Sequence, residues 1–179
     1  MINKTVSYYN NADDSKSKIR YNLDYVLGMI RDNQELFQQT VKLRSMPTEE
    51  EYKQAKKLLP MIAPSGVFDY RNDDPENLRE YSNVLVLDFD HFQSRLDAGE
   101  FKRNLIDNAD RLHVYALWFS PSRLGVKVAM IHDSTNPMYH NELFRCIREQ
   151  LYPGIPEFDD KCGNPVSYTH LRAHETELH

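Results

Sequence analysis

The stretch Val84-Leu-Val-Leu-Asp-Phe-Asp90 decides the fold, because it is a run of apolar residues that ends in two acids. Side chains alternate between the two faces of a β-strand, so Asp88 and Asp90 are expected on one face and the odd-numbered apolar residues on the other. Turn-forming residues flank the run on both sides. The sequence therefore predicts a buried strand with a carboxylate pair at its end.

Beyond this strand, toward the C-terminus, the pattern predicts the order β-α-β-β-α. An Asp-x-x-Glu sequence at residues 97–100 is typical of a helix start, and Asn136-Pro137 is typical of a second one. Residues 113–119 and 126–131 are predicted strands that form a hairpin around the turn at residues 120–125. We expect an α/β (α+β) core with one mostly antiparallel sheet, two helices on one face, and the closing strand missing.

The N-terminal part is expected to form a helical accessory layer. Residues 4–9 are predicted as a strand, and apolar residues at helical spacing predict helices after Asn22, over residues 33–43 and after Thr48. The last of these should bury Tyr52, Ala55, Leu58 and Leu59. The charged residues 71–80 resemble a loop and mark the best internal boundary. This divides the chain into an accessory region at 1–80 and a core at 81–165.

The end of the chain carries an unusual signature. Residues 166–176, Val-Ser-Tyr-Thr-His-Leu-Arg-Ala-His-Glu-Thr, resemble the in-frame translation of a transposase-type sequencing adapter. A segment of that origin is not part of the natural protein, so residues 166–179 are predicted to be neither natural protein nor a domain. They should lack packing contacts, and Leu171 and Leu178 should lie outside the core.

Composition is that of an ordinary globular protein and argues against two classes. The apolar fraction of 40% and the charged fraction of 27% are typical of a packed domain. No apolar run approaches the ~18 residues that a membrane helix needs, and a net charge of −5 argues against broad coating of nucleic acid. Cys146 and Cys162 have no ligand-like spacing, which suits a reducing compartment. We therefore expect a cytoplasmic protein with no membrane partner.

The paired acids are candidate metal ligands. Two carboxylates projected side by side from a rigid strand repel each other unless a cation lies between them. For Asp88 and Asp90 the usual cation is Mg²⁺ or Mn²⁺, and such ions orient and neutralise a phosphoryl group under attack. The alternative is two solvated acids in a strand-to-loop turn. After an apolar run in an α/β core, the metal site is favoured.

The hairpin supplies a second candidate element. Small residues in its turn, Ser120, Ser122 and Gly125, allow amides and hydroxyls to approach an anion. Lys127 follows on a strand face that is otherwise apolar, where an ammonium needs a partner, and a triphosphate would serve. The alternative is a hairpin whose lysine protects a sheet edge. The turn and Lys127 are therefore candidate ligands for nucleotide phosphates.

These residues, in this order, resemble the VirE N-terminal domain family, a family of bacterial mobile elements related to archaeo-eukaryotic primases and primase-polymerases. The resemblance covers about residues 19–160 and rests on Ser65-Gly66-x-Phe68, Val86-Leu-Asp-Phe-Asp90, Ser120-Pro-Ser122 and Gly125-Val-Lys127. It implies a primase-like core in which Asp88 and Asp90 are catalytic and hold the metal, and Asp159 or Asp160 is a third acid. It also implies DNA replication as the context, nucleotides and single-stranded DNA as ligands, and a helicase-like domain or protein encoded alongside.

Three functions remain open. The first is a primase-polymerase-like nucleotidyltransferase that performs metal-dependent phosphoryl transfer on nucleotides. The second is a catalytically degenerate module that binds nucleic acid or a partner protein. The third is a haloacid-dehalogenase-type phosphatase, since an apolar strand that ends in Asp-x-Asp also opens those enzymes. That alternative ranks last, because Phe92 lies where those enzymes have threonine or valine.

Overall fold

The computed structural model describes residues 2–16, 18–72, 74–165, 169–171 and 177–178, and the fold is α+β. The elements in chain order are β1 (Thr5–Tyr9), β2 (Ile19–Asn22), α1 (Leu23–Asp32), α2 (Gln34–Arg44), α3 (Glu49–Lys57), β3 (Met61–Ala63), β4 (Gly66–Phe68), β5 (Leu78–Tyr81), β6 (Val84–Phe89), α4 (Arg95–Asp107), β7 (Ala116–Phe119), β8 (Val126–Ile131), α5 (His140–Leu151), β9 (Thr169–His170) and β10 (Glu177–Leu178). Across these ranges, no helix has both the length and the apolar character that crossing a membrane requires.

The central sheet contains the three strands that the sequence predicts for it. Its order is β10-β7-β8-β6, and β8 pairs antiparallel with both β6 and β7. The prediction of one mostly antiparallel sheet is therefore confirmed. Strand β7 begins at Ala116 and not at residue 113, because His113 has a φ of 53° and the amide of Val114 donates to the carbonyl of Ala109 (3.0 Å). These contacts form a turn before the strand.

Two hydrophobic clusters cover the two faces of the central sheet. On one face, α4 and α5 pack against the apolar residues of β6 and β8, among them Leu87, Phe89 and Val128. On the other face, α1 and α2 pack against Val86 and Trp118. The prediction of two helices on one face is confirmed, and the expected layer of N-terminal helices lies on the other face.

The N-terminal layer contains more strand than the sequence predicts. Strand β1 pairs with β2 and β3 in a second sheet of order β2-β1-β3-β9, and β4 pairs with β5. The expected loop at residues 71–80 is wrong at its end, where β5 begins at Leu78. These strands are three or four residues long, which is too short for an alternating pattern to stand out.

Helix starts follow the predicted caps, with one exception. The side chains of Asn22, Thr48 and Asn136 each accept a hydrogen bond from an amide two or three residues later. For α4 the predicted start at residue 97 is wrong, because Ser94 is the cap and accepts from the amide of Asp97. The predicted buried stripe of α3 is only partly correct. Leu59 is buried and Tyr52 and Ala55 are half-buried, whereas Leu58, the residue after the helix, is 69% exposed.

Part of the C-terminal segment packs against the rest of the chain. Strand β9 pairs with β3, and Leu171 is fully buried in the cluster beneath α1 and α2. The backbone of β10 pairs with β7. The prediction that residues 166–179 lack packing contacts is therefore wrong at these positions. Residues 166–168, 172–176 and 179 and the side chain of Leu178 lie outside the described part of the chain, and the adapter origin of the segment stays a prediction.

Candidate functional site

Asp88 and Lys127 form a buried ion pair at the centre of the site. They are direct partners across β6 and β8, so their side chains leave the same face of the sheet, as predicted. The ammonium of Lys127 donates to Oδ2 of Asp88. The side chain of Lys127 is only 7% exposed, and that of Asp88 is only 11% exposed. The lysine predicted to bind phosphates thus has an acidic partner inside the protein.

The second oxygen of Asp88 is not satisfied in the same way. Oδ1 is covered from solvent and has no hydrogen-bond partner among the described residues. A buried acceptor that lacks a donor costs about 1–3 kcal/mol. A cation ligated by Oδ1 would remove that cost, so this oxygen marks the point where the site fits a metal ion.

Asp159 and Cys162 bring two further ligand atoms to Asp88. The amide of Asp159 donates to the carbonyl of Asp88 (2.8 Å), and Phe158 bridges to Phe89, so this segment lies along the edge of β6. A 3₁₀ turn at Asp160–Gly163 then contains Cys162. One ligand atom each from Asp88, Asp159 and Cys162 lie within 4.8 Å of one another. A single metal ion could contact all three.

Asp160, the other predicted choice for a third acid, lies elsewhere. It pairs with Arg148 at 2.5 Å, and its side chain is 59% exposed. It lines a separate groove of about 990 Å³, together with Met138 and Phe144. Of the two adjacent acids, the structure therefore brings Asp159 to Asp88 and leaves Asp160 on the surface.

Asp90 lies against the hairpin turn. Its Oδ1 approaches Gly125 so closely that a Cβ at that position would lie 2.0 Å from the oxygen. The same Cβ would lie 2.9 Å from Oγ of Ser120, which in turn lies 3.1 Å from Oγ of Ser122. The predicted turn residues are therefore neighbours of Asp90, and Gly125 is needed for this close approach.

The charged groups of the site shift one another's pKa values. Burial raises the pKa of Asp90, and the charge of Asp88 raises it further, while Lys127 and Lys56 oppose the shift. Burial by itself would lower the pKa of Lys127, but the carboxylates of Asp88 and Asp90 outweigh burial and raise it. The expected repulsion between the two acids, with partial relief by Lys127, is confirmed.

Two residues of the site were missed in the sequence. Lys56 of α3 is half-buried, and burial and then the charge of Lys127 lower its pKa, against the acids Asp88 and Asp90. For Cys162, burial and then Asp88 raise the thiol pKa to about 12. Asp159 and Cys162 are three residues apart in the sequence, but no local pattern links them to Asp88. Nothing in the sequence of α3 singles out Lys56 from the other lysines of that helix.

Comparison with known proteins identifies the family. The family described as "BT4734-like, N-terminal domain" matches residues 53–154, which is more than half of the chain. The chain therefore belongs to this family. No curated protein and no solved structure matches it.

This match corrects the resemblance drawn from the motifs. Assignment to the VirE N-terminal domain family is wrong, because the matching family is a different one. The primase-polymerase relationship, the DNA-replication context and the mobile-element context depended on that assignment and are withdrawn with it. The quoted motifs are short strand and turn sequences that unrelated α+β domains can share. The helicase-like partner, inferred from the same resemblance, stays an untested prediction.

Proposed function

We propose that the chain performs metal-dependent phosphoryl transfer on nucleotides at the site around Asp88. The observation that carries the proposal is the buried, unsatisfied Oδ1 of Asp88 beside ligand atoms of Asp159 and Cys162. Buried charges are stable only when they are paired or coordinate a metal, and Lys127 pairs with only one of the two oxygens of Asp88. A divalent cation is the simplest group that satisfies this donor set.

The surrounding residues suit a phosphorylated ligand. A divalent cation at Asp88 would supply the positive charge that orients and neutralises a phosphoryl group. Lys127 holds the carboxylate of Asp88 in place through the ion pair, which fixes the geometry of the ligand oxygen. The hydroxyls of Ser120 and Ser122 lie at the turn beside Asp90 and can donate to phosphate oxygens.

The sulfur ligand bears on the choice between the two expected metals. Mg²⁺ prefers oxygen ligands throughout, whereas a thiolate favours softer ions. With Cys162 among the ligand atoms, Mn²⁺ fits the site better than Mg²⁺. The thiol must lose its proton to bind metal, so metal affinity is expected to rise with pH.

The decisive experiment uses two adjacent acids as a matched pair. Asp159→Asn removes a carboxylate that lies beside Asp88, whereas Asp160→Asn removes one on the surface. We would measure Mn²⁺ binding by calorimetry, and the release of phosphate or pyrophosphate from nucleoside triphosphates with and without single-stranded DNA. The proposal requires that Asp159→Asn lose both metal binding and turnover while Asp160→Asn keeps them. If the two variants show the same metal binding and the same turnover, the proposal is wrong.

A second function is favoured by the ion pair itself. Lys127 already balances the charge of Asp88, so the charge of this carboxylate does not by itself require a metal. A chain that only binds nucleic acid would need no metal at this site. Wild-type protein that binds single-stranded DNA but shows no metal-dependent turnover would establish this binding function. The phosphatase alternative stays a prediction.

A further inference from the structure

Three arginines, Arg44, Arg95 and Arg123, lie near the hairpin turn at residues 120–125. Arg44, the last residue of α2, donates from Nε to the carbonyl of Pro121 (2.9 Å). Arg123 lies two residues further along the same turn. The amide of Phe92 donates to the carbonyl of Leu124 (3.0 Å), so the turn contacts the segment that precedes α4. Arg95 is the first residue of that helix.

The charges of these arginines repel one another. Burial lowers the pKa of Arg44 to about 10, and the charges of Arg123 and Arg95 add to that effect. The opposing influence comes from the phenol of Tyr52, a weak partner for a cation. Nη2 of Arg44 is covered from solvent and has no hydrogen-bond partner among the described residues. The group carries positive charge and donor capacity that an anion would satisfy.

Local structure fixes the positions of two of these arginines. Arg123 has a φ of 64°, a left-handed conformation that costs an arginine more than a glycine. Its guanidinium lies over the ring of Phe119 at 5.7 Å, which orients the side chain. Arg95 occupies the positive end of the dipole of a 13-residue helix, where a cation is disfavoured. The charge of Arg95 is therefore unfavourably placed in the isolated protein, and a bound anion would offset that cost.

We propose that Arg44, Arg95 and Arg123 form a docking site for a phosphate group of the ligand. The three guanidiniums offer several donors in fixed planes, and such forks match phosphate oxygens. The turn that carries Arg123 also carries Ser120 and Gly125, so a phosphate bound here lies next to the proposed metal site. The kind of ligand rests on the proposed function, but the docking site itself needs no metal.

The test measures anion binding without divalent metal. In EDTA, wild-type protein should bind tripolyphosphate, a short thymidine oligonucleotide, or both, and should not bind citrate comparably. Arg95→Gln and Arg44→Gln should each weaken that binding by about 10-fold or more, the size of one lost charge-assisted hydrogen bond. Arg103→Gln, an exposed arginine on the same helix, is the matched control and should leave affinity unchanged.

The outcomes separate the sources of phosphate. Binding of tripolyphosphate alone identifies the tail of a free nucleotide, and binding of the oligonucleotide alone identifies a phosphodiester backbone. The proposal is overturned if neither binds, if citrate binds equally well, or if Arg103→Gln weakens binding as much as Arg95→Gln. Asp159→Asn should keep anion binding, so failure of the metal site and failure of the arginine site give different results. Because Arg95 is exposed, its variant tests the site even if Arg44→Gln fails to fold.

Discussion

Replacement of Lys127 by methionine should destabilise the protein strongly. The side chain lies beside fully buried Trp118 across β7 and β8, and its ammonium bonds to the buried carboxylate of Asp88. Methionine keeps the volume of the lysine stem but leaves the carboxylate without its counter-charge. Removal of one partner from a buried ion pair costs about 3–5 kcal/mol. For a chain of this length that corresponds to about 6–20 °C in Tm.

A double-mutant cycle isolates the contribution of the pair. Urea unfolding of Asp88→Asn, Lys127→Met and the double variant at neutral pH gives the coupling free energy between the two side chains. The double variant should lose less than the sum of the single losses, by up to about 3 kcal/mol, because neither charge is then left alone. A loss below about 1 kcal/mol in Lys127→Met, the size seen for surface pairs, would show that the pair is solvated and that the buried site does not exist.

Three further predictions test neighbouring features. Gly125→Ala should weaken Mn²⁺ binding, because its Cβ would lie 2.0 Å from Oδ1 of Asp90 and must displace that carboxylate. Asp90 is not among the three grouped ligands, but its negative charge beside Asp88 helps to attract the cation. In Co²⁺-loaded protein, Cys162→Ser should abolish the thiolate-to-cobalt charge-transfer absorption. Burial, aided by His132, lowers the pKa of His140 from 6.5 to about 4. The folded chain therefore resists a proton that the unfolded chain accepts, and up to about 3 kcal/mol of stability should be lost as pH falls from 6.5 to 4, less in His140→Gln.

Each of these predictions has a matched control. Gly28→Ala lies in α1 with open space around the added Cβ, so it should stabilise the fold by about 0.4–1 kcal/mol and leave metal binding intact. Cys146→Ser removes an exposed thiol and should keep the cobalt band. His113→Asn removes an exposed histidine and should keep the acid sensitivity of the wild type. A control that behaves like its test variant contradicts the corresponding prediction.

The sequence predicts those parts of the fold whose signals are local. Alternation around Asp88 and Lys127 correctly assigns both to one face of the sheet, because the period of a strand fixes side-chain direction. Caps such as Asn22 are also predictable, because the side chain bonds to an amide only two residues away. The set of metal ligands is not predictable from local signals. Cys162 comes close to Asp88 only because the chain after α5 runs along the edge of β6. Contacts between distant segments leave no periodic trace.

Charge in the site is arranged in two zones that favour different ligands. The inner zone holds the carboxylates of Asp88, Asp90 and Asp159 against the ammonium groups of Lys127 and Lys56, so acids exceed cations and a metal ion is attracted. The outer zone holds the three arginines beside the hairpin turn, where they act on one another with only Tyr52 opposing at Arg44, and an anion is attracted. Opposite potentials close to one turn suit a ligand that carries phosphate and binds metal. The arrangement therefore favours a metal–phosphate ligand over either component alone.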